Sequence, residues 1–256
     1  KCVVLEGPPG TGKTFRALQL VDELLGFDPA TTDDKDERVE ARRASQWSEI
    51  RRGFSNEARD WSRLSKPEHE AIGEVVGAHP VVWELVQMHP GYAYDDFVRG
   101  MTTAEGDGVH FRVVDRVVLQ LAAAARAAKD TTVVVIMDEI NRCNLASVLG
   151  ELILALEPDK RGQPIQLQYG DAVALPENLL FLGTMNTADR SIALVDYAIR
   201  RRFRFITCPP DPGALKSHYR DQGQGELATV ACDAMATVNR AVKLENLKVG
   251  HAYFME

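Results

Sequence analysis

The sequence predicts an α/β protein built on a parallel β-sheet, and three observations predict it. Five short apolar runs, at residues 2–5, 81–88, 133–137, 179–183 and 203–207, are separated by helical or irregular stretches. A glycine-rich loop, residues 7–14, follows the first run and opens onto a helix-patterned segment. The third run ends in two carboxylates, Asp138 and Glu139, at the strand end where open α/β sheets bind ligands.

Each element follows from its local pattern. After the first run, Ala17, Leu18, Val21, Leu24 and Leu25 recur at helical spacing and Gly26 closes the helix. Residues 28–70 are charged and punctuated by tryptophan without a clean period, which predicts an insertion or a surface loop system. Beyond the third run, Leu145, Val148, Leu149, Leu152, Ile153 and Leu156 form one apolar stripe and predict a single helix. Ile165, Leu167 and Tyr169 alternate with Gln166 and Gln168, and Gly170-Asp171 precedes the apolar residues 172–175, so a β-hairpin is expected before the fourth run. Pro209, Pro210 and Pro212 break the chain after the fifth run. Residues 215–242 are alanine-rich and helix-like. The expected division is an α/β core over 1–208 and the start of a small helical lid over 209–256.

Composition removes several classes of function. Apolar residues at 45% and charged residues at 26% are ordinary for a globular protein and exclude collagen-like or disordered chains. The apolar run at 133–137 is far shorter than the roughly 20 residues of a membrane helix. No secretory leader is visible. The cysteines at 2, 143, 208 and 232 lack paired metal-ligand spacing, which predicts reduced thiols and a cytoplasmic protein. The 37 acidic residues outnumber the 30 basic ones, giving a net charge of −7. A surface whose main task is gripping DNA leans the other way. The chain starts at Lys1 in a strand-like run and stops just after Phe254, and reads as a segment of a longer protein.

Four groups of residues carry chemistry. Gly7-Pro8-Pro9-Gly10-Thr11-Gly12-Lys13-Thr14 fits G-x-x-x-x-G-K-[ST]. Its glycines allow backbone N–H groups to surround phosphate oxygens at a helix N-terminus. Lys13 would reach the β- and γ-phosphates, and Thr14 would ligate Mg²⁺. Asp138 suits the Mg²⁺ shell, and Glu139 suits polarising the attacking water. At the tip of the fourth run, within Met185-Asn186-Thr187-Ala188-Asp189-Arg190-Ser191, Asn186 and Asp189 are candidates for the γ-phosphate or the lytic water. Arg200, Arg201 and Arg202 end a helical stretch just before the fifth run. A lone arginine there would serve its own helix dipole. Three of them offer guanidinium groups to transition-state charge, with Arg201 or Arg202 as the finger.

These stretches resemble the AAA+ motor domain of the McrB family. The resemblance rests on the phosphate loop, on Met137-Asp138-Glu139-Ile140-Asn141-Arg142, on residues 185–191, and on Leu194-Val195-Asp196-Tyr197-Ala198-Ile199-Arg200-Arg201-Arg202-Phe203. Residues 89–100 and Gly250-His251-Ala252-Tyr253-Phe254 add weaker matches, with Ala252 where a serine is expected. The resemblance implies an AAA+ P-loop NTPase fold, a five-stranded parallel sheet with flanking helices, an inserted hairpin and a helical lid. It also implies a hexameric ring hydrolysing GTP, with the arginines facing a neighbour's nucleotide. An McrC-type nuclease subunit would be the partner, and DNA would be read mainly by a domain outside this segment. His251 and Tyr253 would face the nucleotide from the lid. Tyr92, Tyr94, Asp95 and Phe97 read as structural packing. Two alternatives stand: an ATP-using relative of the MoxR or dynein-like branch that remodels proteins, and a nucleotide-gated scaffold. The intact Glu139 argues against the scaffold.

Overall fold

The computed structural model describes residues 1–28, 35–54, 61–104, 110–188 and 196–255. Strand β1 (Cys2–Gly7) passes through the glycine-rich loop into helix α1 (Lys13–Leu24), with Gly26 just beyond its end in a left-handed conformation. Helix α2 (Lys35–Ala44) buries no residue, and is tethered where Arg38 and Arg42 pair with the buried Asp22 of α1. The short helix α3 (Trp47–Ile50) behaves differently. It buries Trp47 and Ile50, and Trp61 packs edge-on against Trp47 at 5.4 Å. The expectation of a surface loop system over 28–70 is therefore corrected for Ser45, Trp47, Ile50 and Trp61, which are buried.

Helix α4 (Lys66–Gly77) starts at a capping box between Ser65 and Glu68. It leads into β2 (Val81–Gln87) and the short helix α5 (Tyr94–Phe97), whose Phe97 is fully buried. An antiparallel hairpin follows, β3 (Arg99–Ala104) with β4 (His110–Asp115), then helix α6 (Val117–Ala127). Every residue of α6 from Val118 to Ala125 is buried. Strand β5 (Thr132–Asp138) precedes α7 (Leu145–Leu149) and α8 (Leu152–Ala155). The single helix expected over this apolar stripe is thus two short ones. The break is Gly150, at φ 52° and ψ −130°, where an added Cβ would lie 2.7 Å from the Tyr94 ring.

The expected hairpin is present as β6 (Ile165–Gln166) and β7 (Ala172–Val173), followed by β8 (Leu179–Asn186), α9 (Tyr197–Arg200) and β9 (Arg204–Thr207). The alanine-rich tail is α10 (Pro212–Asp221) and α11 (Gly225–Ala241), interrupted at Gly223 (φ 70°) rather than continuous.

Five strands form a parallel sheet in the order β2-β5-β8-β1-β9. Successive residues of a strand point to opposite faces. In β5, Val133, Val135 and Met137 accordingly pack in one layer and Val134 and Ile136 in the other. Helices α10 and α11 hold a small core of their own, built from Leu215, Tyr219, Ala228 and Met235. No helix among the described residues is long and apolar enough to cross a membrane.

Candidate nucleotide-binding site

The phosphate loop, the acid pair and the tip of β8 converge because their strands are neighbours. β1 lies beside β8 with Gly7 opposite Asn186, and β8 lies beside β5 with Gly183 opposite Met137. Parallel strands place all three C-terminal ends on one edge of the sheet, the edge where ligands bind. The Thr187 N–H donates to the Gly7 carbonyl at 3.0 Å and ties the β8 tip to the loop.

Within the loop, Lys13 Nζ folds inward and donates to the carbonyls of Gly7 (3.0 Å) and Pro8 (2.7 Å) and to Thr11 Oγ1 (3.4 Å). Burial pushes the Lys13 ammonium below its usual range, against the opposing pull of Cys208, Glu139 and Asp138. An ammonium resting on carbonyl oxygens is a cation without a full counter-charge, so an incoming polyphosphate supplies what the site lacks.

The acids are held by hydroxyls. Asp138 Oδ1 accepts from Thr14 at 2.6 Å and from Thr184 at 2.7 Å, while the Glu139 N–H donates to Thr184 Oγ1 at 3.0 Å. Glu139 has φ 56° and ψ 52°, left-handed for a residue with a side chain. Such a backbone costs about 1–3 kcal/mol and persists only where surroundings enforce it. Its carboxylate pairs with Arg142. Thr14 and Asp138 together present close hard oxygen donors, which fit Mg²⁺. The described residues contain no cluster of three or more His, Cys, Asp or Glu, so further ligands would come from phosphate and water.

Asn186 ends β8 with its main chain clasped by Asn141, whose amide donates to the Asn186 carbonyl at 3.0 Å and accepts its N–H at 3.4 Å. Asn186 Oδ1 is buried without a partner among the described residues, which fits a side chain awaiting a ligand. Asp189 lies outside the described residues.

From the C-terminal end of the described chain, Gly250 N–H donates to Pro9 O and Ala252 N–H to Gly10 O, both at 2.9 Å. An added Cβ on Gly250 would stand 2.1 Å from the Gly10 carbonyl carbon, so only glycine permits this approach. The buried His251 accepts the Asp211 N–H at Nδ1 (3.2 Å), which leaves its remaining proton on Nε2. Nε2 faces Gly12, 3.3 Å from where a Cβ would be. Tyr253 lies against Gly10 and is exposed. The departure at Ala252 leaves this contact intact, because the main chain makes it.

The arginines stand elsewhere. Arg204 is in register with Val3, four residues before Gly7. The start of β9 is therefore about 13 Å from the loop along the strand direction. Arg202 is buried on Glu157, Arg201 reaches the same carboxylate at 3.4 Å with its side chain 55% exposed, and Arg200 lies over the Phe205 ring at 4.9 Å. Sequence reasoning gave Thr184 and Asn141 no role of their own. The available signal was polar residues set close to the ends of two otherwise apolar strands.

This sheet order, phosphate loop and acid pair define an AAA-type P-loop domain. Residues 72–203 match the family model described as AAA domain (dynein-related subfamily), and the chain belongs to that family. Within it, this is an McrB-family AAA+ protein. It is similar, at 30% identity over 271 residues, to the type IV methyl-directed restriction enzyme EcoKMcrB subunit of Escherichia coli (strain K12). That match covers 99% of this chain and 47% of the relative. A second relative, the type II restriction enzyme BsuMI component YdiS of Bacillus subtilis (strain 168), is 24% identical over 172 residues, 52% of this chain and 50% of its own length. The chain spans about half the length of the curated relatives it matches.

Proposed function

We propose that the chain is the nucleotide-hydrolysing core of an oligomeric, hexameric ring. The ring would burn GTP to drive DNA translocation and cleavage with an McrC-type nuclease subunit, in restriction or anti-phage defence. One observation carries the hydrolytic part: Thr14, Asp138, Thr184 and the Glu139 main chain share one hydrogen-bond network beside the phosphate loop. Residues 7–13 would hold the phosphates, and Thr14 and Asp138 would hold Mg²⁺, which would supply neutralisation of phosphate charge. Glu139 orients water once freed from Arg142. Asn186, and Asp189 by sequence, address the γ-phosphate. His251 Nε2–H donates from the lid, residues 209–256, onto the core, residues 1–208. Arg201 serves a neighbour, being the more exposed member of the Glu157 pair. The restriction role and GTP preference rest on the similarity that spans nearly the whole chain. The dynein-related family description keeps the protein-remodelling, ATP-using alternative in view.

Lys13→Ala is expected to abolish nucleotide binding, while Glu139→Gln keeps binding and loses turnover. Competition between GTP and ATP for the wild-type site decides the base. Each base-edge contact left unpaired costs the wrong purine about 1–3 kcal/mol. Equal or better ATP affinity would transfer the chain to the remodelling branch.

A further inference from the structure

Strand β8 is held differently on its two sides. Beside β1 the main-chain pairing runs to the tip, with Gly7 opposite Asn186 and the Thr187 N–H on the Gly7 carbonyl at 3.0 Å. Beside β5 it stops at Met137 opposite Gly183, three residues short of Asn186. The cause is Glu139, whose left-handed φ of 56° turns the chain away into the single turn Ile140–Arg142. Side chains fill the gap. Thr184 Oγ1 accepts the Glu139 N–H at 3.0 Å, and the buried Asn141 exchanges both hydrogen bonds with the Asn186 main chain, at 3.0 and 3.4 Å. A carboxamide carries a donor and an acceptor side by side, so Asn141 stands in for the missing strand partner. Ile140 seats the same turn against β8. Gly183 leaves room for it, since an added Cβ there would stand 3.2 Å from Ile140 Cγ2.

We propose that Asn141 is a positioning residue for hydrolysis, which fixes the Asn186 side chain relative to the Glu139 carboxylate so that both address one water. Asn141 lies on the turn that Glu139 begins, and its hydrogen bonds end on the residue that carries the second side chain. It therefore sets the separation of two groups that the β5–β8 ladder, ending short of both, does not set. Its role needs no contact with nucleotide. The proposal rests on the hydrolytic reading above and adds to it a residue whose effect passes through another. A misplacement of about 1 Å between reacting groups costs on the order of 10²-fold in rate. The phosphate grip of residues 7–13 does not draw on this turn.

The test is a cycle on the assembled protein: Asn141→Leu, Asn186→Ala and the double variant, compared for turnover and for affinity toward a non-hydrolysable triphosphate analogue. Leucine keeps the size of the side chain and removes both hydrogen bonds. Asn141→Ala takes its place if the melting midpoint shows that the leucine protein does not fold. Asn141→Leu is expected to keep its affinity within about twofold and to lose about 10–10²-fold in kcat with KM unchanged. On the Asn186→Ala background it is expected to cost nothing further, because a residue acting through Asn186 has no effect once that side chain is gone. Wild-type turnover in Asn141→Leu overturns the proposal, and so do losses that multiply in the double variant. A loss of affinity equal to the loss of turnover overturns it in favour of a binding role. Wild-type turnover in Asn186→Ala removes the hydrolytic assignment of Asn186 and the proposal with it. A silent Asn141→Leu beside a weakened Asn186→Ala removes the proposal alone.

Discussion

His251 shows how one residue beside the phosphate loop can respond to solution conditions. Burial lowers its pKa from the ordinary 6.5, with Arg16 adding to the fall and Asp211 opposing it. The neutral ring is the form that accepts the Asp211 N–H. If residues 209–256 open as a lid, the ring regains its ordinary affinity for protons, and the open form binds the proton first as pH falls. The closed form is favoured above the ordinary histidine value and loses that advantage as pH drops through it toward the lower closed-state value. Nucleotide affinity is therefore expected to weaken on acidification through about pH 6.5, and to weaken less in His251→Asn. Titrations of a fluorescent triphosphate analogue across that range would measure it. An equal pH response in both proteins would exclude His251 as the cause. The sequence marked this residue only through its family neighbourhood. Its tautomer depends on a backbone N–H forty positions away, which no local pattern encodes.

At the scale of elements, legibility follows the source of the stabilising force. Strands β1, β5 and β8 were readable because their apolar runs are buried on both faces and interrupted by nothing. Hairpin β3–β4 was not, since Met101 and Phe111 are exposed toward its turn and its buried anchor is an ion pair at its base, Arg99 with Asp115 at 2.7 Å. Residues 45–48 looked like surface yet follow the edge of β2, where Glu84 accepts from Gln46 Nε2 and the Ser48 N–H. The break between α7 and α8 was hidden because the apolar stripe continues across it. Gly150 turns the chain there to admit the Tyr94 ring. Gly150→Ala meets both a left-handed φ and the ring, so a loss of more than about 1–3 kcal/mol is expected. Chemical denaturation would read it directly. A wild-type midpoint would mean that α7 and α8 merge without penalty.

For the whole molecule, the decisive relation is between the two edges of the sheet. Isolated chains should be nearly idle and specific activity should rise with concentration, because a trans-acting arginine is worth roughly 10³–10⁵ in turnover. Mixing an Arg201→Ala/Arg202→Ala protein with a Lys13→Ala protein, each inactive alone, is expected to restore part of the activity. No recovery in verified mixed assemblies would place the arginines' action within their own subunit. A further consequence lies in the placement of Lys13 and Arg201 at opposite ends of β1. A molecule that gives at one end and receives at the other has a direction, like a link in a chain of plugs and sockets. Two such molecules joined head to tail leave one plug and one socket empty, and an open row of n subunits completes only n − 1 sites. Only closure removes the loss. Turnover per subunit should then step upward as the last member seats, and a trace of subunits lacking the receiving end should depress it more steeply than their number alone.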